Sequence, residues 1–167
     1  MIIFLVGFMG SGKTTIGRKL ASKLNFRFID LDEQFEWEEA TSIAKYFQQH
    51  GEEKFRKRES EVLKTTNYPD NCIVSTGGGL PCFFDNMEWM KAHGKVVYIQ
   101  HNPKTLAQRL EHGKEERPLL HGKTMDELVE FITEKLAERE KYYIQATIVA
   151  DGLSLTTDYL KDIVLGC

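Results

Sequence analysis

The feature that most constrains this chain is a glycine-rich run placed between an apolar strand and a helix. Residues 7–14 read Gly-Phe-Met-Gly-Ser-Gly-Lys-Thr and fit the pattern of Gly, four residues, then Gly-Lys-Ser/Thr. The preceding run Ile2–Val6 predicts a buried strand, and apolar residues at spacings of four predict a helix from about Thr14. Backbone N–H groups of such a loop close around phosphate oxygens. The run therefore predicts a P-loop that binds a nucleotide, rather than a glycine-rich turn with a surface lysine.

Two residues of this loop have expected roles. Lys13 should reach the β- and γ-phosphates of ATP, and the hydroxyl of Thr14 should hold Mg²⁺. The loop does not name a second substrate, so a kinase for a small acceptor and a nucleotide switch that only binds and hydrolyses both remain. The Asn-Lys-x-Asp run typical of switch GTPases does not occur in the sequence. Residues that would bind the phosphoryl acceptor must distinguish these two classes.

The rest of the chain alternates predicted strands with predicted helices. Strands are predicted over 28–31, 72–75, 96–99 and 147–150, and helices after 31, from 41 or 42 to Gly51, over 52–65, from Asn102, over 124–142 and at the end of the chain. This order predicts an α/β fold with a parallel sheet and helices on both faces. Ligands of such sheets bind beyond the carboxyl ends of the strands. Residues just after strands are therefore the functional candidates.

Composition limits the partners of the chain. The 167 residues suit one domain over 1–167, and 41% hydrophobic with 28% charged residues is ordinary for a globular protein. A formal charge of -3 gives no electrostatic reason to bind nucleic acid, and no apolar stretch approaches the ~18 residues of a membrane span. The three cysteines lack metal-like spacing and suit reduced thiols. We expect a cytoplasmic monomer that binds neither nucleic acid nor membrane.

Two aspartates follow the second predicted strand. Asp30 and Asp32 are two residues apart, so in an extended strand both side chains lie on one face. One carboxylate could ligate Mg²⁺ through water while the other accepts a hydrogen bond from an acceptor hydroxyl. The alternative is that Asp32 caps the following helix and Asp30 is solvated. The local sequence leaves both interpretations open.

The helix predicted over 52–65 carries a carboxylate on its apolar face. At 100° per residue, Glu59 falls within the apolar stripe and Arg56 falls at its edge. A buried carboxylate needs a partner, and Arg56 is three residues away. Alternatively both side chains face a polar ligand, or Arg56 forms a surface ion pair with Glu52 or Glu53.

The helix predicted over 124–142 has an arginine on its apolar face. Arg139 lies seven residues after Ile132 and projects from nearly the same line. A guanidinium on an inward face needs an anion, and a substrate carboxylate would satisfy it with two parallel hydrogen bonds. The alternative is an arginine that pairs internally or extends to solvent. Its place on the stripe favours a binding role.

Two further segments are candidates for ligand contact. Gly77, Gly78 and Gly79 directly follow a predicted strand, where a backbone without side chains can approach a ligand, with a flexible turn as the alternative. The polar stretch at about 112–124 contains Arg-Pro-Leu-Leu from Arg117 and is long for a connection between helices. It predicts a lid whose arginine meets phosphate on closing, with an exposed basic loop as the alternative.

Together these elements resemble the shikimate kinase family, in order and over nearly the whole chain. The similar elements are the P-loop of residues 7–14, Asp30-Leu-Asp32, Phe55-Arg56-Lys-Arg-Glu59, Ser75-Thr-Gly-Gly-Gly79, the Arg-Pro-Leu-Leu run from Arg117, and Arg139 with Tyr143 four residues later. Apart from the P-loop, each element alone is weak evidence for the family. All six elements in the same order are specific evidence for it.

The resemblance implies a P-loop NTPase fold similar to nucleoside monophosphate kinases, with a five-stranded parallel sheet in the order 2-3-1-4-5. It implies transfer of the γ-phosphoryl group of ATP to the 3-hydroxyl of shikimate in aromatic amino-acid biosynthesis, with one Mg²⁺ per subunit. A helical segment at about 32–65 would bind shikimate, and a lid at about 112–124 would close. A gluconate kinase-like enzyme of the same fold and a nucleotide-binding regulatory protein are the alternatives.

The resemblance also implies a role for each candidate residue. Asp32 would orient and deprotonate the acceptor hydroxyl, Lys13 and Arg117 would stabilise the transferring group, and Asp30 would hold Mg²⁺ through water. The residues expected on ATP are Gly10, Ser11, Gly12, Lys13, Thr14, Thr15 and Arg117. Those expected around shikimate are Asp32, Arg56, Glu59, Gly77, Gly78, Gly79 and Arg139.

One departure from the family concerns the nucleotide base. The segment after Gly152 lacks an arginine at the position where some members contact the adenine. Arg109 is the candidate that could take this role.

Overall fold

Five parallel strands form the centre of the molecule, which a computed structural model describes over residues 1–112 and 122–167. The strands in this part of the chain are β1 (Ile2–Val6), β2 (Arg27–Asp30), β3 (Cys72–Ser75), β4 (Lys95–Gln100) and β5 (Ile148–Asp151). Their spatial order is β2-β3-β1-β4-β5, which confirms the predicted sheet. Arg117 and the other lid residues from 113 to 121 lie outside the described residues.

The central position of β1 brings the P-loop to the middle of the sheet. On one side Ile2 pairs with Cys72 of β3, and on the other Ile3 pairs with Lys95 of β4. The strand is fully buried from Ile3 onward, as expected for a parallel strand that is covered on both faces. The loop that follows Val6 therefore emerges between the carboxyl ends of β3 and β4.

Helices cover both faces of the sheet. In the described residues they are α1 (Lys13–Leu24), α2 (Leu31–Glu39), α3 (Ile43–Thr65), α4 (Asn86–His93), α5 (Pro103–Glu111), α6 (Met125–Tyr143) and α7 (Thr157–Leu165), with a 3₁₀ turn at Leu80–Cys82. Ser42, Asn102 and Thr124 each accept a hydrogen bond from the N–H three residues later, so these predicted helix starts are confirmed. None of these helices combines the length and the apolar character needed to cross a bilayer.

Alternate residues of β1 face two different hydrophobic layers. Ile3 and Leu5 pack against α1 and α7. Phe4 and Val6 belong to the layer formed with α2, α3, α4 and α6. The second layer matters for function, because α2, α3 and α6 carry the predicted acceptor-binding residues.

The boundary between β2 and α2 differs from the prediction. Asp30 Oδ1 accepts hydrogen bonds from the N–H groups of Asp32, at 2.9 Å, and of Glu33, at 3.4 Å. This cap begins α2 at Leu31, so Asp32 lies in the first helical turn and not in the strand. The expectation that both aspartates lie on one strand face is wrong, and the helix cap is Asp30 rather than Asp32.

The long helix α3 breaks at Gly51, as the sequence predicted. Gly51 has φ 81° and ψ 171°, a backbone conformation that is essentially restricted to glycine. The break lets the second half of α3, which carries Arg56 and Glu59, run at its own angle along the end of the sheet.

Candidate active site

The P-loop leads from the centre of the sheet into the start of α1. Gly12 caps this helix with φ 90° and ψ 16°, a left-handed conformation that a glycine adopts without strain. Thr14 and Thr15 lie in the first turn of α1, where backbone N–H groups have no partner within the helix. The loop and this turn therefore form an anion site of the kind that binds nucleotide phosphates.

Lys13 extends back over the loop that precedes it. Its Nζ donates to the carbonyl oxygens of Gly7, at 2.7 Å, and of Phe8, at 3.0 Å, and lies 3.4 Å from the hydroxyl of Ser11. The residue is only 8% exposed. The structure therefore places a buried ammonium at the loop, and its contact with nucleotide phosphates stays a prediction.

Two side chains from beyond β4 hold two more carbonyl groups of the loop. Arg109 Nε donates to the carbonyl of Gly10 at 2.8 Å, and His101 Nε2 lies 3.2 Å from the carbonyl of Ser11. The role of Arg109 at the nucleotide base stays a prediction, and in this structure its Nε donates to the loop. His101 was missed in the sequence, although its place directly after a parallel strand is a signal that could have singled it out.

Oxygen atoms gather beside Thr14 at the carboxyl ends of β2 and β3. Thr14 Oγ1 lies 3.1 Å from Asp30 Oδ2 and 3.4 Å from Ser75 Oγ. Hydroxyl and carboxylate oxygens suit Mg²⁺, which keeps several waters and needs few protein ligands. Among residues 1–112 and 122–167, no group of three or more His, Cys, Asp or Glu side chains is placed to hold a metal ion.

The three glycines after β3 are surrounded by the predicted acceptor-binding side chains. A Cβ atom added to Gly77 would lie 2.9 Å from both Asp32 Oδ1 and Glu59 Oε2, and one added to Gly79 would lie 2.6 Å from Arg56 Nη1. These separations are shorter than carbon can adopt against an oxygen or nitrogen atom. A side chain at either position would force these charged groups to move, so their close approach to the backbone depends on the missing Cβ atoms. We call residues 77–79 with these side chains and Arg139 the acceptor cradle.

Arg139 reaches the same glycines from α6. Its Nη1 would lie 3.4 Å from a Cβ on Gly78, and its guanidinium carbon lies 5.4 Å from the centre of the Phe8 ring. The Nη1 atom is buried and has no hydrogen-bond partner among residues 1–112 and 122–167. Tyr143, one turn later, donates its hydroxyl to the Gly78 carbonyl. The inward placement predicted for Arg139 is what the structure has, and it leaves a buried donor available to an anion.

Arg56 and Glu59 form a buried ion pair. Arg56 Nη1 lies 3.0 Å from Glu59 Oε1, and the two side chains are 12% and 7% exposed. The Arg56 guanidinium also lies over the Phe83 ring, and its Nε lies 3.7 Å from Glu52. The internal pair and the outer pair considered from the sequence are therefore both present. Burial is the largest effect on Glu59 and raises its pKa to about 7, with Asp32 adding to the rise and Arg56 opposing it.

A cavity of about 390 Å³ lies on the other side of the P-loop from the acceptor cradle. Its lining includes Ser11, Gly12, Thr15, His101, Arg109 and Thr156. The cavity begins at the phosphate-binding loop and opens along α1 towards α7, so it is the candidate for the nucleoside part of a bound nucleotide.

Comparison with known proteins identifies the family that this chain matches. A family model described as shikimate kinase matches residues 9–164. A shikimate kinase of Parabacteroides distasonis is 43% identical over 156 residues, which cover 93% of this chain and 90% of the relative.

Solved structures of the same family superpose over nearly the whole chain. The crystal structure of shikimate kinase from Bacteroides thetaiotaomicron matches with a TM-score of 0.94 at 39% identity, covering 99% of this chain and 98% of the other. That of the Acinetobacter baumannii enzyme in complex with shikimate matches with a TM-score of 0.84 at 30% identity, covering 99% and 93%.

The raised pKa of Glu59 predicts a specific dependence of stability on pH. A carboxyl whose pKa is higher in the folded state than in the unfolded state stabilises the fold at low pH. For Glu59 this stabilisation is complete below about pH 4.5, the ordinary pKa of the group, and disappears as the pH rises through about 7. Relative to Glu59→Gln, the wild type should therefore lose on the order of 3 kcal/mol of unfolding free energy between pH 4.5 and pH 7.5. Urea denaturation of both proteins at several pH values measures this difference. A difference that grows with pH would mean that attraction to Arg56 outweighs burial.

Proposed function

Because the chain belongs to the shikimate kinase family, whose members are ATP-dependent kinases, we propose that it phosphorylates the 3-hydroxyl of shikimate, giving shikimate 3-phosphate and ADP. This reaction is a step of the shikimate pathway to aromatic amino acids. The observation that carries the proposal is the convergence of two arginines and two carboxylates on residues 77–79, directly beside the P-loop. A small acceptor with one acid group and several hydroxyls suits that set of partners.

Shikimate would bind in the acceptor cradle. Arg139 offers a buried N–H that no described residue accepts, and Arg56 is fixed by Glu59, so these guanidinium groups would hold the carboxylate of shikimate. The Asp32 carboxylate would accept a hydrogen bond from the hydroxyl that reacts. The backbone of residues 77–79 would lie against the ring of shikimate, since no side chain intervenes there. The complex of the Acinetobacter baumannii relative with shikimate supports this choice of ligand.

ATP would bind on the opposite side of the P-loop backbone. Its phosphates would lie against the N–H groups of residues 10–15, with Lys13 turning from the loop carbonyls towards the β- and γ-phosphates. Thr14 would hold one Mg²⁺ directly and Asp30 would hold it through water, as their shared oxygen cluster supports. When bound, the metal would neutralise charge on the phosphates.

The transfer itself requires alignment and charge neutralisation more than covalent chemistry. Asp32 would orient the acceptor hydroxyl towards the γ-phosphorus and take its proton as the new O–P bond forms. Lys13 would stabilise negative charge on the transferring group. Arg117, on the predicted lid, would add a second positive charge, and lid closure would exclude water.

We also propose that the protein acts as a monomer in the cytoplasm. The free cysteines Cys72, Cys82 and Cys167 suit a reducing compartment.

Substrate identity is tested by measuring ADP production with Mg·ATP and one acceptor at a time. Shikimate should raise ADP production strongly, whereas gluconate and nucleoside monophosphates should leave it near the rate without acceptor, because they lack the carboxylate and ring hydroxyls in the arrangement that the cradle fits. A higher rate with gluconate or with a nucleotide would refute the proposal. Equal rates with and without shikimate would favour the nucleotide-binding regulatory protein instead.

The role of Asp32 as a base predicts the effect of Asp32→Asn. The amide keeps the shape and one acceptor oxygen but takes no proton, so turnover should fall by ~10²–10⁴ while shikimate still binds. Glu33→Gln is the matched control, because it removes a negative charge from the same helical turn at an exposed position paired with Arg18. Its turnover should stay near that of the wild type. If folded Asp32→Asn retains most of its activity, Asp32 is not the base.

The role of Arg139 predicts a loss that is confined to the acceptor. Arg139→Met keeps the aliphatic stem against Phe8 but removes the charged donor, so shikimate affinity should fall by ~10- to 100-fold, as for the loss of a charge-assisted pair, with little change for ADP. Arg139→Lys should recover only part of the affinity, because an ammonium cannot donate two parallel hydrogen bonds. Calorimetric titration with each ligand measures both effects. Unchanged shikimate affinity in the Met variant would make Arg139 a structural residue.

A further inference from the structure

His101 is a buried imidazole that none of the proposed chemistry uses. It follows β4 directly and is 5% exposed. Gly152, directly after β5, packs so closely that an added Cβ would lie 2.3 Å from His101 Nε2. The N–H of Gly152 also donates to the carbonyl of Gln100 at 2.8 Å. The ring is therefore held in one place by the ends of two strands.

The hydrogen bond to Ser11 shows which ring nitrogen of His101 carries a hydrogen. A carbonyl oxygen only accepts, so Nε2 must carry the hydrogen in its 3.2 Å contact with the Ser11 oxygen. Nδ1 is buried and has no hydrogen-bond partner in the described parts of the chain. Burial first, and then the nearby charge of Arg109, lower the pKa of His101 below its ordinary value. The ring is thus neutral near pH 7, with its hydrogen on Nε2.

This hydrogen bond orients one particular peptide group of the P-loop. The described backbone contains no cis peptide bond, so the carbonyl of Ser11 and the N–H of Gly12 point in opposite directions. With the carbonyl directed at His101, the N–H of Gly12 lies in the same peptide plane and points away from His101. Gly12 is also the N-cap of α1, and the N-terminus of a helix favours bound anions.

Three further carbonyl groups of the loop accept hydrogen bonds from charged side chains. Lys13 holds those of Gly7 and Phe8, and Arg109 holds that of Gly10. Lys13 and Arg109 are charged and long, and in the proposed function Lys13 turns to the nucleotide phosphates. His101 is different because it is neutral, short and fixed by packing, so its hydrogen bond does not depend on the position of a long, mobile side chain.

We propose that His101 is a positioning residue for nucleotide binding, which holds the Ser11–Gly12 peptide so that the Gly12 N–H faces the phosphates. It acts through Ser11 and takes no part in proton transfer. The inference rests on the proposed function in one respect, namely that the loop binds the phosphates of ATP. The proposal adds to the nucleotide site a residue that directly follows β4 and lies outside the P-loop sequence.

The test compares two side chains of similar length at this position. His101→Gln places an amide N–H near the position of Nε2, whereas His101→Met fills the same space without a donor. Dissociation constants are measured by calorimetry for ADP, inorganic tripolyphosphate, adenosine and shikimate, and steady-state assays give KM for ATP and for shikimate. His101→Asn, whose amide is too short to reach Ser11, replaces His101→Met if thermal unfolding shows that the Met variant does not fold.

The variant without a donor should bind ADP and tripolyphosphate about 3- to 10-fold more weakly, the usual effect of one hydrogen bond. Its KM for ATP should rise by a similar factor while its adenosine and shikimate affinities stay unchanged, and His101→Gln should restore most of the loss. Equal weakening for adenosine would mean that His101 shapes the base cavity, and weakening for shikimate would indicate general damage. Either result, or unchanged ADP affinity, would overturn the role of His101 alone. A wild-type chain that binds neither ADP nor tripolyphosphate would overturn the proposed function itself.

Discussion

The acceptor side of the site depends on a backbone that carries no side chains, at residues 77–79. Charged groups from α2 and α3 can approach the end of β3 only because Gly77 and Gly79 leave room, and a single Cβ at either position would lie within 3 Å of a carboxylate or a guanidinium. The glycines therefore give these charged groups room at the end of β3. Asp32, Arg56 and Glu59 all lie beside this short stretch of backbone.

This arrangement gathers charge in a place that water reaches poorly, which costs folding free energy. The Arg56–Glu59 pair offsets part of the cost internally, yet burial still holds the pKa of Glu59 near 7. Arg139 retains a buried N–H without an acceptor among the described residues. A cradle of this kind is less stable than an apolar one would be, and an anionic, hydroxylated ligand would satisfy the groups that the fold leaves unsatisfied. The cost to stability and the capacity to bind thus have the same origin.

The features that could be predicted from the sequence are mostly those set by residues close together in the chain. The P-loop pattern, the β1–α1 unit and the inward positions of Glu59 and Arg139 follow from spacing and helical periodicity within a few residues, and the sheet order followed from the family resemblance. The assignment of Asp30 and Asp32 failed because an aspartate at either position could cap the helix, and the outcome depends on which residue ends the strand. His101 could not be found by periodicity, because its contact with Ser11 joins residues 90 positions apart. Such a contact exists only once β4 lies beside β1.

The two halves of the site are held by different means and meet at Gly78. On the nucleotide side, side-chain donors hold the carbonyl groups of the P-loop, and on the acceptor side, glycine contacts and a buried ion pair hold the cradle. A Cβ on Gly78 would lie 3.2 Å from the Met9 N–H nitrogen and 3.4 Å from Arg139 Nη1, so this residue touches both halves. Its backbone therefore lies between the P-loop and the acceptor cradle. In-line transfer loses rate steeply when the reacting atoms are displaced by about 1 Å, so in the proposed reaction close packing at this residue would hold the acceptor at a fixed separation from the phosphates.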